Sequence, residues 1–382
     1  MKNVICSIIA FTFLFTNLSF AQSNKLPDWA FGGFVRPKGV NPVISPDSTS
    51  LFMCPMNKRM VDWESNDTFN PAATIKDGKI VVLYRAEDKA GRAIGKRTSR
   101  IGYAESADGI TFKRRKTPVL FPAEDSQKEM EWPGGCEDPR VAVTEDGLYV
   151  IMYTQWNQDK ARIGVATSRD LITWEKHGPV FKKAYNGKFN QIWSKSGSLL
   201  TKLVNDKQVI AKVNGKYWLY FGESNVNVAT STDLINWEPV VDKNENLVNL
   251  ISPRKGYFDS NLTECGPPAI ITEKGIVLMY NGKNDKGEDG DHRFTPNSYC
   301  AGQVLLDKND PAKVLARMDV PFFRPMESFE KSGQYIAGTV FIEGMVYFKK
   351  KWLLYYGCAD SRVGVAIYDP KLKTPGDPLP VN

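Results

Sequence analysis

Short apolar runs rich in aromatic residues recur along this chain, and polar residues close each of them. The runs start roughly 60 to 75 residues apart, mostly after a polar turn. Aromatic and β-branched residues in runs of this length, bounded by turn residues, predict β-strands. The five runs are GKIVVLYRAED (78–88), GLYVIMYTQWN (147–157), GKYWLYFGESN (215–225), GIVLMYNGKN (275–284) and KWLLYYGCAD (351–360).

A second strand signal follows four of these runs. In three cases a Ser-x-Asp turn leads from one apolar stretch into another, which is typical of a β-hairpin. The four segments are RIGYAESADGITFKRR (100–115), RIGVATSRDLITWEKH (162–177), VNVATSTDLINWEPV (226–240) and RVGVAIYDP (362–370). Each repeat therefore contains more than one strand and very little predicted helix.

The repetition predicts an all-β fold built from similar units. A unit of about four short strands cannot bury both faces alone, so five units packed around an axis predict a five-bladed β-propeller. No linker rich in Gly, Ser or Pro divides the chain, and residues 22–382 are expected to form one domain. Residues 22–50 and 310–317 are predicted to be peripheral additions. A pair of β-sandwiches is the alternative architecture.

Composition and charge exclude several classes of protein. The chain has 382 residues, of which 42% are hydrophobic and 24% are charged, as in a folded globular protein. Aromatic residues make up 12%, which favours strands and sugar-stacking surfaces over a helical bundle. The net charge of +7 is mild, and no run of Lys and Arg is long enough for a nucleic-acid groove. No nucleic-acid partner is expected.

Residues 1–21 have the features of a signal peptide. Lys2 precedes an apolar stretch, and Ser19 and Ala21 fit the small-x-small cleavage rule. No later stretch is apolar for long enough to cross a bilayer. We therefore expect an exported protein, periplasmic or extracellular, without a membrane span.

Cysteine and histidine usage argues against a metal centre. The five cysteines after residue 21 form no CxxC pair, and the two histidines lie in no metal or triad motif. A disulfide scaffold and a zinc site are therefore not expected, although a single disulfide remains open. We expect neither a metal ion nor another cofactor.

Polar residues gather where the strands of neighbouring units would meet. In a propeller blade, the start of the first strand and the end of the second strand lie at the same mouth. Asn70, Asp138 and Glu264 precede first strands. The polar residues at second-strand ends are Arg85, Glu87, Asp88, Gln155, Asn157, Glu223, Asn225, Asn281, Lys283 and Asp360. Carboxylates that converge beside aromatics such as Trp156 and Trp193 suit glycoside cleavage, which needs two carboxyl groups flanking the scissile bond.

The segment GGCEDPR (134–140) is the most constrained of these polar positions. Pro139 lacks a backbone donor and favours an extended conformation for Asp138. A carboxylate fixed in this way is a candidate catalytic acid, and a simple turn residue is the alternative.

Four ordered motifs give the chain a family resemblance. GCEDPRV, the FNPAA that precedes LYRAED, GPPAIITEKGIVLMYNG and YYGCADSRVGVA together resemble glycoside hydrolase family 130 over residues 35–370. The resemblance implies a five-bladed propeller that acts on β-mannosides. By this resemblance, Asp138 is the catalytic acid, which protonates the glycosidic oxygen through a sugar hydroxyl. Asn70, Arg85 and Asp360 would hold the first mannose, Arg140 would brace the site, and Asp88 and Asn281 complete the expected substrate-binding set.

The same family contains phosphorylases and hydrolases. Its phosphorylases carry a His in a YHG element, whereas this chain has YNG with Asn281. The resemblance also matches Glu223 and Glu264 to the exported β-1,2-mannosidases of the family. A carboxylate near the phosphate position repels phosphate and can instead activate water. We therefore expect an inverting β-mannoside hydrolase with Asp138 as the acid and Glu223 or Glu264 as the base.

Three alternatives to this function stay open. They are a phosphorylase, a propeller glycosidase that acts on arabinose or fructose units, and a glycan-binding propeller without activity. Release of mannose without phosphate distinguishes the hydrolase from the phosphorylase, and a binding module would form no product.

Overall fold

The computed structural model describes residues 22–91, 93–372 and 374–380, so the expected signal peptide (1–21) lies outside it. The fold is nearly all β. The helical segments are short: α1 (Lys128–Glu131) and two 3-10 turns (Ala184–Gly187 and Ser328–Glu330). The strands are β1 Gln22–Asn24, β2 Phe52–Cys54, β3 Arg59–Val61, β4 Asp67–Lys76, β5 Lys79–Glu87, β6 Ser99–Ser106, β7 Lys113–Arg114, β8 Gly135–Val143, β9 Tyr149–Trp156, β10 Ala161–Ser168, β11 Glu175–Pro179, β12 Ser198–Val204, β13 Lys207–Ile210, β14 Lys212–Val213, β15 Lys216–Phe221, β16 Val226–Ser231, β17 Glu238–Pro239, β18 Asn249–Ile251, β19 Leu262–Cys265, β20 Ala269–Ile271, β21 Ile276–Lys283, β22 Tyr299–Leu306, β23 Val314–Arg317, β24 Val340–Phe348, β25 Lys351–Cys358, β26 Arg362–Tyr368 and β27 Gly376–Leu379.

The strands form three main sheets. One has the order β11-β10-β9-β8-β6-β5-β4, with β7 on β6. The largest follows β17-β16-β15-β12-β20-β21-β22-β23, and the third is β24-β25-β26. The five apolar runs form β5, β9, β15, β21 and β25, each antiparallel to both neighbours, which confirms them as strands.

The strands that precede these runs come together. β4 contacts both β8 and β24, and β8 also contacts β12. β12 in turn pairs in parallel with β20. The first residues of β4, β8 and β19 pair with the last residues of β5, β9 and β21, respectively. Polar residues from several sheets therefore meet at one place, as the sequence predicts.

The Ser-x-Asp turns form as predicted. The carboxylate of Asp108 accepts backbone N–H groups of Ile110 and Thr111, while Ser106 accepts the N–H of Gly109. The same arrangement recurs after β10 and β16. These side chains replace backbone partners in the turn, which explains why the motif repeats.

The prediction that residues 22–50 and 310–317 are peripheral additions is wrong. β23 is a regular partner of β22 and lengthens the largest sheet. Phe31 and Phe34 are buried in a core cluster, and the Phe31 ring meets that of Trp352 at 5.0 Å between centroids. Both segments therefore contribute to the core, although their short apolar stretches carry no clear strand period.

A buried polar triplet recurs in four of the repeats. A tyrosine of the apolar run donates its hydroxyl to a buried carboxylate, which also pairs with a cation. The triplets are Tyr84–Glu64–Arg114, Tyr153–Glu131–Lys176, Tyr280–Asp259–Arg317 and Tyr356–Glu330–Arg36. The sequence pattern indicates only apolar strands at these tyrosines. The triplets satisfy polar groups that would otherwise be costly to bury.

The triplet at Tyr280 gives a stability prediction. Tyr280→Phe removes a 2.6 Å hydrogen bond to the Asp259 carboxylate, which is fully buried. The free energy of unfolding should fall by about 1–3 kcal/mol, because the acceptor stays buried with one partner fewer. Urea unfolding measures the change, with the half-buried Tyr257→Phe as the control. An unchanged unfolding free energy for Tyr280→Phe would contradict the role of the triplet.

Two further features concern the cysteines and the helices. All five cysteines of the described ranges are buried and free, in agreement with the absence of a disulfide scaffold. Within those same ranges, none of the helices combines the length and the apolar character that crossing a membrane requires.

Candidate active site

Two matching β-bulges present the central polar side chains. The pairing of β4 with β5 skips Asn70, and the pairing of β8 with β9 skips Asp138 and Pro139. Asn70 and Asp138 both have positive φ, at 44° and 47°. Pro71 and Pro139 follow them, and neither requires an acceptor for a backbone N–H group, because proline has none. The Asn70 amide consequently donates to Asp138 Oδ1 at 2.8 Å.

Arg85 joins three carboxylates in this region. Its Nη1 lies 2.9 Å from Asp138 Oδ1, while its Nη2 lies 2.7 Å from Glu87 and 2.8 Å from Glu137. Ser99 accepts a hydrogen bond from Arg85 Nε at 3.0 Å. Arg85 thus makes four hydrogen bonds to Ser99 and the three carboxylates, which leaves one of its five N–H donors without a protein partner.

Lys195 is a second cation beside Asp138, and the sequence pattern did not identify it. Its Nζ lies 3.4 Å from Asp138 Oδ2. Burial lowers the pKa of Lys195, but its interactions with Asp138, Glu223 and Glu264 outweigh that effect and raise the pKa above its usual range. Lys195 therefore carries its charge between the expected acid and the two expected bases.

The two expected bases lie on the far side of Lys195. Glu264 belongs to β19, is 3% exposed, and accepts a hydrogen bond from the Ser196 hydroxyl. Glu223 follows β15, is half-buried, and accepts the indole N–H of Trp193 at 2.6 Å. Trp193 is 51% exposed and meets Trp156 edge to face, which places an aromatic rim beside Glu223. Solvent reaches the site from this side.

The carboxyl groups of the site differ in their protonation. Burial by itself raises the pKa of Asp138, but Arg85 and Lys195 outweigh burial and hold that pKa below its usual range. Burial raises the pKa of Glu137, Glu264 and Asp360 to about 7 in each case. The pKa of Asp138 thus favours its ionised form in the free site, whereas the pKa values of Glu137, Glu264 and Asp360 lie near neutral pH.

Asp360 lies with the charged residues around Asp138 and Arg85, whereas Asp88 and Asn281 do not. Asp360 is half-buried, has a φ of 51°, and interacts electrostatically with Arg85 and Asp138. Asp88 instead pairs with Arg100 at 2.9 Å. Asn281 is fully buried, and its amide exchanges hydrogen bonds of 3.1 and 2.8 Å with the backbone of Ile342. These placements do not support the substrate contacts expected for Asp88 and Asn281, because their polar groups are used inside the protein.

Arg140 also differs from the expected substrate-binding residue. It is 1% exposed, and its guanidinium donates to the backbone carbonyls of Cys265 and Asp138 at 2.7 and 3.1 Å. Its Nη1 also lies 3.0 Å from Glu343 Oε1. Arg140 thus braces the site, as the resemblance implies, but its position beneath the site does not support a contact with sugar.

The residues missed by the sequence analysis lie at two adjacent positions of the repeat. Glu137 and Lys195 align with Phe69, and Ser196 and Glu343 align with Asn70. A Pro or Gly follows in each case, as in EDP, KSG and IEG. Aligning these tripeptides with FNP would have identified Lys195 and Glu343. In the described ranges, no group of three or more His, Cys, Asp or Glu is arranged to hold a metal ion.

The chain is similar in sequence to proteins of one family. Residues 42–372 match the model of glycoside hydrolase family 130, described as β-1,4-mannooligosaccharide phosphorylase. A 1,2-β-oligomannan phosphorylase from Thermoanaerobacter sp. (strain X514) is 35% identical over 324 residues, which cover 83% of this chain and 94% of that protein.

Solved structures are more similar still. The crystal structure of a glycosyl hydrolase from Bacteroides ovatus is 66% identical, with a TM-score of 0.92 over 94% of this chain and 100% of that chain. Another, 65% identical with a TM-score of 0.93 and the same coverage, is described as showing that the family of mannoside phosphorylases contains glycoside hydrolases that target β-1,2 mannosidic linkages in Candida mannan. Because the family model spans most of the sequence and the catalytic-type motifs lie within it, this chain belongs to glycoside hydrolase family 130.

Proposed function

We propose that this protein is an inverting hydrolase of β-mannosides, with β-1,2-linked mannooligosaccharides as its substrates. The observation that carries the proposal is the charge balance of the site. Arg85 contacts Asp138, Glu87 and Glu137, Lys195 faces Asp138, Glu223 and Glu264, and Arg140 contacts Glu343.

A phosphate dianion would enter a site whose cations already face carboxylates. Glu223 and Glu264 lie beside Lys195, the cation with the best access to the aromatic rim. The negative charges of Glu223 and Glu264 disfavour the binding of a phosphate dianion, whereas an uncharged water molecule is accepted and polarised by a carboxylate. This balance supports hydrolysis over phosphorolysis.

The relatives support mannosides as the substrate class and divide on the reaction. The solved structure at 65% identity is described with hydrolases of β-1,2 mannosidic linkages, whereas the relative at 35% identity is named a phosphorylase. Phosphorolysis is therefore the second candidate. The higher identity and the acidic surroundings of Lys195 favour hydrolysis.

In the proposed reaction, Asp138 takes up a proton from the neighbouring carboxyl groups and supplies it to the glycosidic oxygen through a hydroxyl of the mannose. The C1–O bond breaks as water attacks C1 from the opposite face, and the leaving saccharide keeps the proton. Glu264 takes the proton of the attacking water, and Glu223 orients that water. Asn70, Arg85 and Asp360 hold the mannose beside Asp138. The products are mannose of inverted configuration and a saccharide shorter by one unit.

Glu264 is the better candidate for the base. It is fixed by Ser196 and nearly buried, and its pKa of about 7 suits proton transfer near neutral pH. Glu223 is held from the exposed side by Trp193, a position that suits the orientation of water.

The pKa values of the carboxyl groups that supply protons to Asp138 predict a fall in kcat/KM above about pH 7. Asp138 must receive a proton, and in the free site the available protons lie on Glu137 and Asp360, each with a pKa of about 7, whereas Glu264 acts as the base in its ionised form. These protons are present below that pH and are lost as the pH rises through it. kcat/KM should therefore drop by about tenfold per pH unit at high pH.

Initial rates on β-1,2-mannobiose from pH 5 to pH 9 measure this dependence. The thermal unfolding midpoint over the same range serves as the control for loss of the fold. A kcat/KM that stays level or rises between pH 7 and pH 9 would contradict the supply of this proton by the neighbouring carboxyl groups.

We further propose that the sheets form the five blades of one propeller, spanning residues 22–382, with the site at one mouth. The contacts of β4 with β8 and β24, the parallel pair β12 and β20, and the hydrogen bonds between Asn281 and Ile342 support such a ring. We also propose export through residues 1–21, which would bring the enzyme to mannosides outside the cytoplasm.

Defined disaccharides test the proposed function. The purified protein is incubated with β-1,2- or β-1,4-mannobiose, with and without phosphate, and the products are separated by chromatography. We expect free mannose from the β-1,2 substrate without phosphate, and no mannose 1-phosphate when phosphate is added. Turnover that requires phosphate and yields mannose 1-phosphate would establish the phosphorylase, and binding without any product would establish a lectin.

A further inference from the structure

Glu343 is a buried carboxylate that the proposed reaction does not use. It lies in β24 at the bulge between Ile342 and Gly344 and is fully buried. Neither of its carboxylate oxygens has a hydrogen-bond partner among the described residues, and its only close ionic neighbour there is Arg140 Nη1 at 3.0 Å. Burial raises the pKa of Glu343 well above its usual range, even with Arg140 beside it. A carboxyl group in such a place is costly and calls for a compensating role.

The same nitrogen of Arg140 connects Glu343 to the catalytic centre. Arg140 Nη1 donates to the backbone carbonyl of Asp138 at 3.1 Å, while Nη2 donates to the carbonyl of Cys265 at 2.7 Å. The Asp138 carbonyl belongs to the bulge whose positive φ turns the carboxylate toward Asn70 and Arg85. Removing the oxygen atoms of Glu343 therefore takes away the only ionic partner of the nitrogen that contacts this bulge, and leaves Arg140 with the carbonyls of Asp138, Cys265 and Gly266.

We propose that Glu343 is a positioning residue for Asp138, acting through Arg140 to hold the bulge in its catalytic geometry. This inference rests on the proposed role of Asp138 as the acid. Glu343 touches no substrate in this account. The charged groups that face it are Arg140, Asp138, Glu264 and Arg85, and of these only Arg140 lies within ion-pair distance.

Leaving-group dependence distinguishes acid positioning from a structural role. Cleavage of β-1,2-mannobiose needs a proton on the leaving oxygen, whereas 2,4-dinitrophenyl β-mannoside has a leaving group that departs without one. Glu343→Met removes both oxygens with little change in volume. We expect kcat on mannobiose to fall about 10- to 100-fold, as for a misplaced acid, and kcat on the aryl mannoside to change less than about threefold. Glu343→Gln keeps one oxygen for Arg140 Nη1 and should recover most of the lost rate.

A double variant keeps the proposal testable if Glu343→Met alone fails to fold. Glu343→Met leaves Arg140 buried without its carboxylate, whereas Arg140→Met with Glu343→Met removes both polar partners, a change that proteins tolerate better. The double variant should show the same selective loss on mannobiose. Glu330→Gln is the matched control, because Glu330 is equally buried and pairs with Arg36 outside the site. It should affect stability without selecting between the two substrates.

Asp138→Asn separates the inference from the proposed function. If that variant loses activity on mannobiose but retains it on the aryl mannoside, Asp138 is the acid. An equal loss on both substrates in the folded Glu343→Met or double variant would then overturn the role of Glu343 alone, as would no loss on either. If Asp138→Asn itself shows no selectivity, the proposed function fails first.

Discussion

Asp138→Asn is expected to lower kcat on β-1,2-mannobiose by about 10²–10⁴-fold, the usual contribution of general acid catalysis, while the fold is preserved. The amide matches the carboxyl group in size and still accepts hydrogen bonds from Asn70 and Arg85, but it supplies no proton. Arg85 keeps Glu87 and Glu137 as partners, whereas Lys195 loses its close ion pair with Asp138 and keeps only the electrostatic influence of Glu223 and Glu264. Steady-state kinetics and thermal unfolding measure the two effects.

The control for this variant is Asp259→Asn. Asp259 is a buried aspartate that pairs with Arg254 and with Arg317 of the Tyr280–Asp259–Arg317 triplet. Its substitution should reduce stability and leave kcat close to that of the wild type. An Asp138→Asn protein that is folded and retains more than about a tenth of the wild-type rate would remove Asp138 from the role of acid.

Glu264→Gln should have the second largest effect, a loss of about 10²–10³-fold in kcat on β-1,2-mannobiose. The amide cannot accept the proton of the attacking water, although Ser196 can still donate to its oxygen. Sodium azide should restore part of the rate, since azide attacks C1 without giving up a proton. The expected product is α-mannosyl azide, formed as the C1–O bond breaks and the leaving saccharide takes the proton from Asp138.

Glu223→Gln is the matched comparison. Its amide still accepts the indole N–H of Trp193 and can still orient water, so its loss should be smaller than that of Glu264→Gln and insensitive to azide. If Glu223→Gln shows the larger loss and the azide rescue, the two roles are exchanged. If both variants keep nearly the full rate, neither glutamate is the base.

The strands and the place of Asp138 in the polar cluster were predictable because their signals are local. Each apolar run contains its own turn and aromatic residues, and the Ser-x-Asp turns close on their own backbone. Pro139 drew attention to Asp138, but the extended conformation expected for Asp138 is wrong, because the bulge gives it a φ of 47°. Short-range chemistry of this kind is visible in one stretch of sequence.

The remaining parts of the site depend on contacts between distant segments. Lys195 lies before β12 in a stretch without strand periodicity, and only the approach of β8 brings it to Asp138. Arg140 follows Pro139 and was expected to brace the site and bind substrate, yet its guanidinium turns inward to the carbonyl of Cys265. Asn281 reads as a polar strand end, but the neighbouring backbone of Ile342 uses its amide. Pattern alone does not tell which partner a polar strand end will meet.

Proton NMR of the first-formed sugar tests the central claim most directly. The wild-type protein is added to β-1,2-mannobiose in phosphate-free buffer, and the anomeric signals are recorded before mutarotation. An inverting hydrolase with a water molecule between the sugar and Glu264 gives α-mannose first, at a rate that added phosphate does not increase. Initial β-mannose would contradict inversion, and signals that appear only with phosphate, as α-mannose 1-phosphate, would contradict hydrolysis.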